Sequence, residues 1–198
     1  MSVARKHDPE ASRAAILDAA ERLFLERGFA GASMSEIAKG SGVTKSLIHH
    51  HFGSKEALWR EVKRRRFADY HAQQLALFAR QGPTAALLRE SMGVYLRFLL
   101  DNPATVRLMS WVQLEGDREL NVMVQELRDK AIEHLQAAQD AGVLRRDVPA
   151  PFILVTFLGL VKAWFLEPAN LGQGPQAVET YLDFAWSLFS SGALPPEA

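Results

Sequence analysis

Apolar residues recur along this chain at helical intervals. Ile16, Ala19, Ala20, Leu23 and Phe24 stand at i, i+3, i+4, i+7 and i+8, which places them on one face of a helix. No stretch alternates apolar and polar residues between hairpin signals, so no sheet is predicted. Glycine and proline divide the chain into helix-length pieces at Gly28, Gly40 to Gly42, Gly53, Gly82-Pro83, Asn102-Pro103, Gly116, Gly142, Pro149 to Pro151 and Pro168 to Pro175. The pattern predicts an all-α protein of nine helices. The first opens at Asp8-Pro9, an N-cap acceptor followed by proline, and is predicted to close at Gly28.

The next stretch, "SMSEIAKGSGVTKSLIHHHF", holds two short helices. Ser33 and Glu36 have capping-box spacing, Gly40-Ser41-Gly42 ends the first helix, and Thr44 starts the second. Two short helices joined by a glycine turn and backed by a longer one form a helix-turn-helix, whose second helix fits the DNA major groove. Stepping about 100° per residue sets Ile48, His51 and Phe52 inward and Ser46, His49 and His50 outward. Three adjacent histidines diverge too far to hold one metal ion, and no spacing supplies a partner for catalysis. No metal, cofactor or catalytic residue is predicted.

The set formed by Gly28-Phe29, Ser33-x-x-Glu36-Ile37-Ala38, Gly42-Val43-Thr44-Lys45, Ile48-x-x-His51-Phe52 and Ser54-Lys55-Glu56-Ala57-Leu58 resembles the DNA-binding domain of TetR-family transcriptional regulators. The resemblance covers residues 14–59, about a quarter of the chain. It implies a helix-turn-helix domain over 1–54, a connecting helix over 55–83 and a helical effector-binding and dimerisation domain over 84–198. It also implies that Thr44, Lys45, Ser46 and Leu47 reach base edges, with Ser33, His49, His50 and Lys55 among the DNA contacts. His49 stands where the family usually has a phosphate-binding tyrosine.

Beyond residue 67 the apolar content sets the expectations. Residues 152–166 are apolar nearly all round, and 177–189 carry a wide apolar face. Helices with so little polar surface need cover on most sides, and two from each of two subunits make a four-helix interface. Phe157, Leu160, Val161, Tyr181, Phe184, Trp186 and Leu188 are the interface candidates in a homodimer. Met92, Tyr95 and Phe98, then Met109, Trp111 and Val112, and finally Met123 and Trp164 are the candidates for lining an apolar effector cavity. Arg97, Arg107, Gln113 and Asn121 are the polar candidates beside them.

Charge and composition narrow the function further. The chain is neutral overall, yet residues 1–66 carry 13 Lys/Arg against 8 Asp/Glu, and the remainder balances that excess with net negative charge. A basic first module fits a polyanion such as duplex DNA. The polar start contains no secretory signal, the longest apolar run is too short for a bilayer span, and cysteine is absent, so a cytoplasmic protein is expected. The reading is a homodimeric repressor released from a near-palindromic operator by a mostly apolar small molecule. A ligand-independent architectural DNA binder is the alternative. An all-helical enzyme is the weaker one, because "GQGP" at 172–175 lacks the lysine of a phosphate loop.

Overall fold

The computed structural model describes residues 8–80, 82–116, 122–166 and 174–195, and side chains throughout these except at 122–124. Among them are nine α-helices and no strand: α1 Pro9–Gly31, α2 Met34–Ser41, α3 Lys45–Phe52, α4 Lys55–Phe78, α5 Ala85–Asp101, α6 Pro103–Leu114, α7 Val122–Asp140, α8 Ala150–Ala163 and α9 Pro175–Ala193. The chain divides into two compact units, residues 1–67 with 104–121 and residues 68–103 with 122–198. The sequence candidates Asn121 and Met123, and most of the break between Pro168 and Pro175, lie outside the residues or side chains described.

In the first unit, Asp8 caps α1 by accepting from the Glu10 N–H at 3.0 Å and the Ala11 N–H at 3.4 Å. Ile16, Leu17, Ala20, Leu23 and Phe24 form its buried face. Phe24 meets Trp59 of α4 edge to face at 4.8 Å, and Ile37, Ile48, Leu58, Val62 and Leu108 close the same core. The regular part of α1 ends at Gly28, the expected position. That glycine breaks the helical geometry at φ 72° and ψ −179°, and the chain then winds on to Gly31. Its continuation depends on a partner far away in sequence, the Glu115 carboxylate beyond α6, which accepts from the Phe29 and Ala30 N–H groups at 3.1 and 3.0 Å. A negative group at N–H donors that α1 itself leaves unpaired restarts the helix.

The second unit packs α5 against α8 and α9, with α7 beside α8. Tyr70 lies between Tyr95 and Phe98 at ring distances of 5.1 and 4.8 Å. The buried Gln74 side chain pairs with Ser91, whose hydroxyl donates to Gln74 Oε1 at 2.7 Å while Gln74 Nε2 donates to the Ser91 carbonyl at 3.2 Å. Phe157 meets Phe189 edge to face at 5.4 Å. Gln139 Nε2 donates to the Arg145 and Val148 carbonyls, both at 2.7 Å, and so ties down the turn after α7.

Candidate DNA-binding site

Two cap bonds set the reading geometry. Ser33 Oγ accepts from the Glu36 N–H at 3.2 Å and donates to Glu36 Oε2 at 2.7 Å, which starts α2. Thr44 Oγ1 accepts from the Leu47 N–H at 3.2 Å, which starts α3. Between them Gly42, in the left-handed region at φ 72°, turns the chain without the crowding a Cβ would bring. Glu36 also takes a hydrogen bond from Arg27 at 2.5 Å. Its carboxyl is held below the usual range by the Ser33 hydroxyl and then by Arg27.

Helix α3 is fastened by one side. Ile48 is fully buried, while His51 and Phe52 are half-buried, with the Arg13 guanidinium over the Phe52 ring at 5.3 Å. Thr44, Lys45, Ser46, His49 and His50 are exposed and Leu47 is half-exposed, so the outward surface of α3 is a mixed polar and basic strip. His49 Nδ1 donates to the Gly53 carbonyl at 2.8 Å. Lys55 opens α4 with its ammonium 4.4 Å from the centre of the Phe29 ring, a cation–π contact that holds the charge beside the end of α3. Among the described residues no group of three or more His, Asp or Glu side chains is arranged to hold a metal ion.

The basic run at 63–66 is engaged with neighbouring side chains, and only Arg64 of the four is exposed. Lys63 lies over Trp59 at 5.2 Å, Arg64 binds Glu61 at 2.6 Å, Arg65 binds Asp18 at 2.7 Å, and Arg65 and Arg66 both reach Glu21. Glu21 is only 7% exposed, so these arginines neutralise a carboxylate that the core would otherwise expel. Glu61 is pulled down to about 2 by the Arg64 hydrogen bond, against the opposing effect of burial and with help from Arg13. Arg65 and Arg66 also line an open cleft of about 480 Å³ with Arg22, Glu26, Arg107 and Leu25.

Of the effector candidates, Met92, Tyr95, Phe98 and Trp164 are buried within the second unit. Helix α6 is different. Trp111 Nε1 donates to the Leu25 carbonyl at 3.1 Å, Val112 packs on the first unit's core, and Met109 is half-buried. Trp111 and Val112 therefore face α1. Arg97, Arg107 and Gln113 are exposed. Sequence reasoning overlooked two imidazole nitrogens of the second unit, His71 Nε2 and His134 Nε2, which are buried without a hydrogen-bond partner. Burial also holds His134 below the ordinary imidazole range. Only their helical positions on α4 and α7 could have drawn attention to them.

The interface candidates divide in a similar way. Phe157 and Val161 are buried inside the second unit, and the Tyr181 hydroxyl donates to the Leu160 carbonyl at 2.6 Å. Leu160 and Trp186 are half-buried. The exposed apolar face consists of Phe184 and Leu188 of α9, at 58% and 49%, together with Phe152 and Val155 of α8, at 67% and 55%.

A capped, outward-facing second helix on a three-helix core defines a helix-turn-helix DNA-binding protein. The chain matches the family model "Bacterial regulatory proteins, tetR family" over residues 16–62 and the model "Tetracyclin repressor-like, C-terminal domain" over 92–181. It is 30% identical over 195 residues to the HTH-type transcriptional repressor AcnR of Corynebacterium glutamicum, covering 92% of this chain and 95% of that one. NalD of Pseudomonas aeruginosa, described as the secondary repressor of a multidrug efflux pump, has the same fold at a TM-score of 0.72, with 22% identity and coverage of 96% of this chain and 100% of its own. AibR, solved with isovaleryl coenzyme A and operator DNA, aligns at a TM-score of 0.65 with 24% identity over 93% of this chain and 99% of its own. This chain belongs to the TetR family and is a DNA-binding transcriptional regulator. Its relatives are regulators rather than enzymes. No helix among the described residues is long and apolar enough to cross a membrane.

Proposed function

We propose that the chain is a cytoplasmic homodimeric repressor that leaves a near-palindromic operator when a mostly apolar small molecule binds its second unit. The observation that carries the dimer is the exposed face of Phe152, Val155, Phe184 and Leu188 on the adjacent helices α8 and α9. Four large exposed apolar side chains on two adjacent helices favour association, and a second copy presents the same side chains. A two-fold dimer aims two α3 helices at half-sites about 34–36 Å apart or at a related spacing. Thr44, Lys45, Ser46 and Leu47 then read base edges, while Ser33, His49, His50 and Lys55 hold the backbone.

The relatives support repression and a small-molecule ligand: AcnR and NalD are named repressors, and the AibR structure holds both an acyl coenzyme A and operator DNA. For the effector, the buried Tyr70, Tyr95 and Phe98 stack and the buried Met92 are the apolar and aromatic candidates, and the unbonded His134 nitrogen is the polar one. Coupling of about 1–3 kcal/mol is typical and reciprocal, so operator DNA weakens the effector as much as the effector weakens DNA. The test is to enrich a duplex from a random pool with the purified protein, determine its symmetry by sequencing, and titrate small apolar compounds against the complex. An asymmetric enriched site removes the dimer reading. DNA affinity unmoved by any compound that raises the melting temperature favours the architectural role instead.

A further inference from the structure

His49 lies in the last turn of α3 with its imidazole exposed and its Nδ1 2.8 Å from the Gly53 carbonyl oxygen. A carbonyl oxygen only accepts, so Nδ1 carries the hydrogen in this pair. Gly53 is shaped to present that oxygen. At φ 76° and ψ −63° it is the centre of the uncommon positive-φ γ-turn, closed by the Ser54 N–H donating to the Phe52 carbonyl at 2.9 Å. The Gly53 N–H in turn donates to the His49 carbonyl at 2.8 Å. Main chain and side chain of His49 are therefore both tied to one glycine, and the ring's second nitrogen, Nε2, is left for an outside partner.

That arrangement decides what His49 offers to DNA. A neutral imidazole has one N–H, and here it is spent on Gly53, so Nε2 presents a lone pair. Phosphate oxygens present lone pairs as well, so the neutral ring makes no direct bond to them. Imidazolium donates from both nitrogens, keeping the Gly53 anchor while bonding a phosphate with charge assistance. We propose that His49 is a DNA-backbone contact that engages only as the imidazolium, which makes the grip of this protein on DNA proton-dependent. The proposal rests on the DNA-binding reading above.

Other charged groups stand on α3 and on the elements around it. On α3 itself are Lys45, His50 and His51, the last half-buried with its ring 5.7 Å from that of His50. Arg13 of α1 is engaged with Glu61 and Phe52, and Lys55 of α4 with Phe29. Glu56 of α4, the nearest acid in sequence, takes its own hydrogen bonds from its backbone and Ser54. Lys39 closes α2. No other hydrogen bond or ion pair to His49 is found among the described residues, so its Nε2 is open to a phosphate oxygen.

The sign follows by linkage, because a complex that binds one more proton than its free parts strengthens as pH falls. The probe is a short duplex that the protein itself enriches from a random pool at about pH 6, with affinity then measured at fixed salt from about pH 6 to about pH 8. The parent is expected to lose about tenfold in affinity over that range. His49→Gln, whose amide donates at every pH, is expected to bind with a nearly flat profile. At about pH 6 the salt slope of the parent exceeds that of His49→Phe by about one phosphate, and at about pH 8 the two coincide, a difference that a merely structural role would not produce. A flat parent profile, or a His49→Gln profile as steep as the parent's, overturns the proposal while leaving DNA binding in place. Failure to enrich any duplex removes the DNA-binding reading and this inference with it.

Discussion

Replacing Gly28 by alanine probes the joint that restarts α1. At φ 72° and ψ −179° this residue occupies a region that is essentially restricted to glycine, and an L-residue held there costs about 1–3 kcal/mol. The added Cβ would also stand 2.5 Å from Glu115 Oε1 and 2.7 Å from Trp111 Cε3. Neither atom can stay. Moving Glu115 breaks its bonds to the Phe29 and Ala30 N–H groups, worth together about 1 kcal/mol once their partial exposure is allowed for. Gly28→Ala is therefore expected to lose about 2–4 kcal/mol, read as the change in urea unfolding free energy followed by tryptophan fluorescence. Glu115→Ala alone should lose about 1 kcal/mol, and the double variant should lose less than the sum, because alanine at 115 removes one of the two clashing groups. A Gly28→Ala cost below about 0.5 kcal/mol would refute both parts of the reasoning. Strict additivity would refute the contact with Glu115 and leave only the backbone cost.

Three further outcomes follow from the same geometry. Glu61, held down to about 2, contributes stability that is present above the unfolded carboxyl range and lost as pH falls toward 2, so Glu61→Gln should cost about 1–2 kcal/mol at neutral pH and converge with the parent in acid, as measured by unfolding at several pH values. Lys55→Ala removes a charge assigned to the DNA backbone and should reduce the slope of log affinity against log salt by about one per protomer, whereas Arg65→Ala should leave that slope unchanged and lower the melting temperature, because Arg65 is engaged with Asp18 and Glu21. Phe184→Asp, placed on the exposed α8–α9 face, should shift the protein toward monomer in sedimentation and weaken binding to a two-half-site duplex, while Phe157→Ala should unfold the second unit rather than dissociate it.

What the sequence determined by itself was the head's local architecture, because its signals act over a few residues. Asp8-Pro9, Ser33 with Glu36, Thr44 and Gly42 are caps and turns whose partners lie within four positions, and a 100° wheel is enough to turn Ile48 inward and His49 outward. The tertiary structure alone decided where long-range partners meet. Glu115 lies 86 residues from Phe29, so no periodicity links it to the break at Gly28, and Trp111 and Val112, apolar enough for a cavity, are drawn onto α1 instead. Nothing local in the run at 63–66 points to Glu21 and Asp18, more than 40 residues away, which the fold brings against Arg65 and Arg66. Helix α8 makes the limit plainest. It is apolar nearly all round, so no wheel distinguishes the side that packs within its own unit from the side left open, and the placement of α5, α7 and α9 around it leaves Phe157 and Val161 buried and Phe152 and Val155 in solvent. The orientation of the His49 ring was likewise settled by the backbone of Gly53, whose γ-turn is a property of the folded junction between α3 and α4.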